Sequence, residues 1–190
     1  LLAFAYKEGS FTHENYLSDL IYVGMIGFLD PPRLDIKDAI ASCRKAGIKI
    51  VMITGDHPMT ALNIALQTGL VDQSERVVIT GKDIPAVESL SNEWKHKILS
   101  TSVFARTTPK QKLDIADVYQ TAGNIVAMTG AGVNDAPALK KANVGIAMGW
   151  RGTAVATETA TIILKDDSFT SIAEAVKHGR GQLAHKEQLR

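Results

Sequence analysis

A single cysteine, Cys43, stands among 190 residues. No internal disulfide can form, and a reducing, cytosolic setting is the default expectation. No run of apolar residues is long enough to span a bilayer, and no leader-like segment opens the chain at Leu1, so the chain itself is not expected to cross a membrane. A surplus of charge is also missing. The 21 Lys and Arg residues face 20 Asp and Glu, a formal net charge of +1, which removes the electrostatic ground for a nucleic-acid partner. Five histidines are scattered without metal-ligand spacing. They and Cys43, on the apolar face of an expected helix, read as structural or surface residues. An initiating methionine is absent too: the chain opens LLAFAYKEGS and reads as a piece of something longer.

What is present suffices for a core. Hydrophobic residues make up 45% and charged residues 22%, the balance of a globular chain with room for one domain, or one and a piece. Short apolar runs at Ile48–Ile53, Val77–Ile79, Ser102–Ala105, Asn124–Met128, Val144–Met148 and Thr161–Leu164 are mostly apolar on both faces, as buried parallel strands are. Amphipathic stretches alternate with them. Ile36, Ile40, Cys43 and Gly47 recur at helical spacing, as do Leu62, Ala65, Leu66 and Gly69, and Phe169, Ile172, Ala173 and Val176. Thr108 before Pro109, and Asp56 and His57 before Pro58, are helix-start signals. The alternation predicts an α/β fold, a doubly wound parallel sheet. Residues 1–20, polar around KEGSFTHENYLSD, look like the tail of another domain. Residues 72–101, more charged and carrying Trp94, look like an excursion from the sheet. Asp30-Pro31-Pro32-Arg33 has the composition of a stiff joint.

Chemistry concentrates where strands end. TGAGVNDAPALKKANVGIAMG, Thr129 to Gly149, joins an apolar run to a glycine-flanked turn and then to a helix carrying Pro137. Such a junction leaves backbone N–H groups free for an anion. Thr54-Gly55-Asp56 follows the Ile48–Ile53 run directly, at the strand end where open α/β sheets gather ligands; a plain capped turn uses the same residues. Lys112, four residues into the helix opened by Pro109, is placed to lean over the strand ends and neutralise a phosphoryl group; a solvated lysine beside Lys110 is the plainer alternative. Arg106 shares both readings.

The ensemble is far more specific than its members. FLDPPR, VMITGD, FARTTPKQK and TGAGVNDAPALKKANVGIAMG occur in that order, followed by GTAVATETATIILKDDSFTSI. From about Gly24 to Gly181 the chain closely resembles the phosphorylation domain of P-type cation-transporting ATPases, nearest the calcium-pump-like branch. The family's fold is haloacid-dehalogenase-like (Rossmann-like). The opening LLAFAYKE resembles the last strand of the family's nucleotide-binding domain. The implied organisation is residues 1–20 as the tail of that domain, 21–181 as the phosphorylation domain and 182–190 as the start of a stalk toward the membrane.

The resemblance implies catalytic roles for Thr54, Lys112 and Asp135. Thr54 and Gly55 match residues that bond the phosphoryl oxygens, and Asp56 one that faces the nucleotide. Lys112 matches the phosphate-neutralising lysine, Asn134 a phosphate or acceptor-side contact, and Arg33 and Arg106 arginines near the nucleotide. Asp135 matches the carboxylate that orients the lysine and supports a magnesium site. Two departures stand out. The aspartyl nucleophile's DKTGT motif is nowhere in the chain, so the fold is expected to lack its N-terminal nucleophile strand. Ala131 occupies the magnesium-ligand position, where the family pattern TGDGVNDAPALK has aspartate; a methyl group gives that metal nothing. Implied cofactors are Mg2+ and ATP as substrate, both held weakly. Implied partners are ATP, phosphate, and the nucleotide-binding, actuator and membrane portions of a pump, on the cytosolic face of a membrane. Two rivals remain: a non-catalytic phosphate-binding or regulatory module descended from a pump, and a free-standing phosphatase, which the missing nucleophile disfavours. The architecture expected is a convergence of Thr54, Lys112, Asn134 and Asp135 at strand carboxyl ends. The Phe169–Val176 stripe should pack on the sheet while residues from His178 onward project and fray, with Gly179 and Gly181 weakening the helix.

Overall fold

The structure, a computed structural model, describes residues 1–9, 16–28 and 31–188, with side chains up to residue 182. It separates into two units, Leu1–Pro31 and Pro32–Arg190. In the first, β1 (Leu2–Tyr6) pairs antiparallel with β2 (Ile21–Ile26), from Leu2 opposite Ile26 to Tyr6 opposite Ile21. A two-stranded ribbon is marginal by itself, and Leu2, Phe4, Tyr22 and Met25 are all exposed. The unit boundary falls between the tandem prolines of the expected joint, and backbone pairing ties Ile21–Ile26 to the opening strand. Residues 10–15 of the polar KEGSFTHENYLSD stretch, and Asp30 of the joint, lie outside the described residues.

The second unit alternates strand and helix as its sequence predicts. Its strands are β3 (Met52–Ile53), β4 (Ile79–Thr80), β5 (Val103–Ala105), β6 (Ala127–Gly130), β7 (Val144–Met148) and β8 (Ile162–Leu164). Between and around them run α1 (Ile36–Lys45), α2 (Pro58–Gln67), α3 (Asn92–Ser100), α4 (Pro109–Thr121), α5 (Ala136–Lys141), α6 (Ala154–Thr159) and α7 (Phe169–Gln188). All strand pairs in this unit are parallel, but they form two three-stranded sheets, β3-β5-β4 and β6-β7-β8, rather than one continuous ladder. β3 and β6 each keep one edge without a ladder partner among the described residues.

β5 shows why helices lie on two sides of its sheet. Successive strand residues point to opposite faces. Val103 and Ala105 belong to a buried cluster with Ile40 of α1 and with Ala61 and Ala65 of α2. Phe104, between them, belongs to another with Ile98 of α3 and with Ile115 and Val118 of α4. A strand buried on both faces needs apolar side chains throughout, and VFA supplies them. Leu139, Ala147 and Ala156 form a smaller core between α5, β7 and α6. The 72–101 stretch is not wholly an excursion, since Ile79–Thr80 joins the sheet beside β5 and Trp94 packs against the Phe104 cluster.

Helix starts follow the sequence signals. Thr108 caps α4 through a reciprocal pair: its hydroxyl accepts from the Gln111 N–H at 3.2 Å, and the Gln111 side chain accepts from the Thr108 N–H at 3.0 Å. His57, rather than Asp56, caps α2, its Nδ1 accepting from the Met59 N–H at 3.3 Å.

At the other end, α7 runs unbroken through Gly179 and Gly181 to Gln188. Phe169 packs against the Ile40 and Val103 cluster, and Arg180 donates to the Ala46 carbonyl just past α1. One exposed hydrogen bond from residue 180 thus still ties the helix to the end of α1. Lys177 to Gln182 are all exposed. Amide hydrogen exchange should therefore be orders of magnitude faster beyond Gly181 than at Ile172. Strong protection as far as Leu189 in a monomer would contradict this.

Candidate phosphate-handling site

Each residue singled out in the sequence, Arg33 excepted, sits just past a strand or in the first turn of the following helix. Thr54, Gly55 and Asp56 follow β3. Arg106 follows β5, and Lys112 lies in the first turn of α4. Ala131, Asn134 and Asp135 follow β6. The carboxyl ends of both sheets therefore hold the whole set except Arg33.

The tightest contact joins two elements. Lys112 Nζ donates to Asp135 Oδ1 at 2.7 Å, with side-chain exposures of only 16% and 15%. The other Asp135 oxygen, Oδ2, accepts from the backbone N–H groups of Ala131 at 3.2 Å and Gly132 at 3.0 Å. Asp135 folds back over the end of β6 because Gly130 gives it room; a β-carbon there would stand 2.5 Å from the Asp135 Cβ. Burial pushes the Asp135 carboxyl up, but the Lys112 ammonium and the two loop N–H groups outweigh it, and the net shift is below the usual carboxylate value.

A second knot ties β3 to β5. The Asp56 N–H donates to Thr54 Oγ1 at 3.1 Å, and that hydroxyl donates to Asp56 Oδ2 at 2.9 Å. Arg106 N–H donates to the Asp56 carbonyl at 3.1 Å, while Thr107 donates to the Thr54 carbonyl from its N–H at 3.1 Å and from its hydroxyl at 3.0 Å. Arg106 holds φ at 52°, in the left-handed region that non-glycine residues seldom occupy and that clusters at functional sites. Its side chain and that of Asn134 are exposed. Arg33 stands apart: it pairs with Asp35 at 3.5 Å just before α1.

Sequence reasoning missed three supports. Thr107, 7% exposed, locks the Thr54 turn, yet in the sequence it reads only as a neighbour of a helix cap. Thr153, past β7, donates its N–H to the Ala131 carbonyl at the β6 end, and Asp167, past β8, accepts from the Trp150 and Arg151 N–H groups. The second aspartate of the DDS run and the GT pair were the signals available.

Magnesium does not fit the residues present. Position 131 carries a methyl group, and both Asp135 oxygens are engaged by Lys112 and the loop amides. Among the described residues no group of three or more His, Cys, Asp and Glu side chains comes together to hold a metal. A hard divalent cation needs several oxygen ligands, whereas here the Asp135 oxygens bond the Lys112 ammonium and the loop amides.

The description of haloacid dehalogenase-like hydrolases matches residues 4–143, and the chain belongs to that family. It is similar to calcium-transporting ATPase 1 of Bacillus cereus, with 44% identity over 183 residues, 95% of this chain and 20% of that one. It is 48% identical over 162 residues to the calcium-transporting ATPase of Bacillus subtilis, covering 85% of this chain and 18% of the relative. The sodium/potassium-transporting ATPase subunit alpha-3 of Gallus gallus is 42% identical over 190 residues, with 87% and 19% covered. The chain thus spans about a fifth of the length of these relatives. Its fold is also that of the catalytic domain of the CPx-ATPase CopB-B, at a TM-score of 0.57 and 23% identity, covering 83% of this chain and 48% of that one. No helix among the described residues is long and apolar enough to cross a membrane.

Proposed function

We propose that this chain is the phosphorylation-domain part of an ATP-driven cation pump of the calcium-pump-like branch, without the aspartyl nucleophile. Catalysis of phosphoryl transfer is mostly positioning and charge neutralisation, and the parts for that are present. Thr54 and Gly55 hold phosphoryl oxygens. Lys112 neutralises them, held at its angle by Asp135, and Asn134 touches the acceptor side. Asp56, Arg106 and Arg33 face the nucleotide. The single observation carrying this reading is the Lys112–Asp135 pair at the strand ends.

The absent DKTGT segment belongs, in this reading, between β3 and β6. Their unpaired edges support that, each closing a parallel ladder on one side. The ribbon of β1 and β2 supplies the edge of a nucleotide-binding domain, and α7 leads toward the membrane on its cytosolic side. The nucleotide-binding, actuator and membrane portions of the pump are its partners. Calcium as the cargo rests on the names of the bacterial relatives. The sodium/potassium-transporting relative is nearly as similar, which fits a shared phosphate machinery whose ion ligands lie elsewhere.

A second reading, a phosphate-binding or regulatory module that no longer turns over, is favoured by Ala131. Both readings predict that the isolated chain is inactive. Incubation with γ-labelled ATP should give no acid-stable label above a denatured control. Labelling above that control would overturn the assignment of the nucleophile to a segment outside the chain.

A further inference from the structure

The loop between β7 and α6 connects two places that the sequence keeps apart. On one side, the Asp167 carboxylate accepts from the Trp150 N–H at 3.0 Å through Oδ1 and from the Arg151 N–H at 2.8 Å through Oδ2. The Gly149 N–H adds a bond to the Leu164 carbonyl at 2.8 Å. On the other side, the Thr153 N–H donates to the Ala131 carbonyl at 2.8 Å. Gly152 packs close against the backbone at Met148, where a β-carbon would overlap the Met148 carbonyl. Asp167 itself sits at φ 51°, a backbone state that costs an ordinary residue energy and that aspartate tolerates better than most. Burial raises its carboxyl, but the Trp150 and Arg151 N–H groups hold it below the ordinary value.

The Ala131–Gly132 peptide plane is therefore fixed from both ends. Its carbonyl, that of Ala131, is held by Thr153, and its N–H, that of Gly132, reaches the Asp135 oxygen opposite the one that carries Lys112. We infer that Asp167 is a positioning residue for the phosphate-handling site. Through the Trp150–Thr153 loop it sets the Ala131–Gly132 turn, and that turn aims Asp135 and Lys112. Asp167 touches no phosphate itself.

The test uses two variants and two readouts on the 190-residue chain. Asp167→Gly removes the carboxylate without backbone strain at positive φ. Asp167→Asn keeps one acceptor oxygen and the same backbone tolerance. In the glycine variant, the amide resonances of Thr153, Ala131 and Gly132 should shift. The dissociation constant for inorganic phosphate should rise roughly fivefold, equivalent to about 1 kcal/mol. The asparagine variant should recover much of both. Shifts confined to residues 149–152 and 164–168, with Ala131 and Gly132 unmoved, overturn the proposal. The phosphate readout rests on the function proposed above, whereas the amide readout needs no ligand. Failure to bind phosphate in the unaltered chain would thus count against that function and leave the Asp167 proposal to be decided by the amides. If the glycine variant does not fold, exchange in the unaltered chain decides: Trp150, Arg151 and Thr153 amides should be strongly protected. Exchange at open-loop rates would overturn the proposal.

Discussion

Replacing Lys112 with methionine is expected to lower stability by about 2 kcal/mol and to abolish measurable phosphate binding. The methylene stem survives in this variant, so packing along α4 is kept and only the ammonium is lost. Asp135 is then left without its counter-charge in a place where its side chain is 15% exposed. Breaking a fully buried pair costs about 3–5 kcal/mol, and the remaining exposure and the two loop N–H groups reduce that. Acid should remove the difference. The folded-state Asp135 carboxyl lies below its reference value of 3.8, so its contribution is fully present above that value and fades as pH falls through the folded pKa. Denaturant melts at neutral pH and below pH 3.8 should therefore show the two proteins converging. A methionine variant as stable as the parent at neutral pH would mean that the pair contributes nothing to the fold.

Restoring a carboxylate at position 131 should have the second large effect, in opposite directions on metal binding and on stability. With a phosphate mimic present, Ala131→Asp should tighten Mg2+ binding by roughly tenfold or more, about 1.4 kcal/mol. Without metal the same change should destabilise by about 1 kcal/mol. The new side chain would follow Gly130 in the turn over which Asp135 folds, and crowded like charges repel. Titration calorimetry and thermal melts with and without Mg2+ measure both. Equal affinity in the two forms would show that position 131 is not a metal position. A gain in metal-free stability would show that the two carboxylates do not meet.

Local signals carried the helices and part of the strands. The Thr108–Pro109 start, the Ile36–Cys43 stripe and the doubly apolar VFA strand each arise from neighbours in sequence, and each forms as expected. The β6 strand begins later than its apolar run. Ile125 is 81% exposed, and the Val126 N–H bonds the Asn143 side chain rather than a ladder. Apolar composition alone cannot register that. The pairing of β1 with β2 and the division of the later strands into two sheets join segments far apart in the sequence. Neither is visible in periodicity.

The site was legible only as an ensemble. Lys112 beside Lys110 would read as a surface lysine without the resemblance, because its partner Asp135 lies 23 residues away. Arg33 remains outside the cluster in this structure, paired with Asp35. Thr107, Thr153 and Asp167 act through backbone bonds, and backbone bonding leaves little trace in residue type beyond a preference for turns.

Titration of the 190-residue chain with inorganic phosphate, followed by amide and lysine side-chain resonances, tests the central claim most directly. The account predicts saturable shifts clustered at Thr54, Gly55, Lys112, Asn134 and Gly132, lost in the Lys112→Met variant. Shifts that do not saturate, or that fall away from the carboxyl ends of β3 and β6, would contradict it.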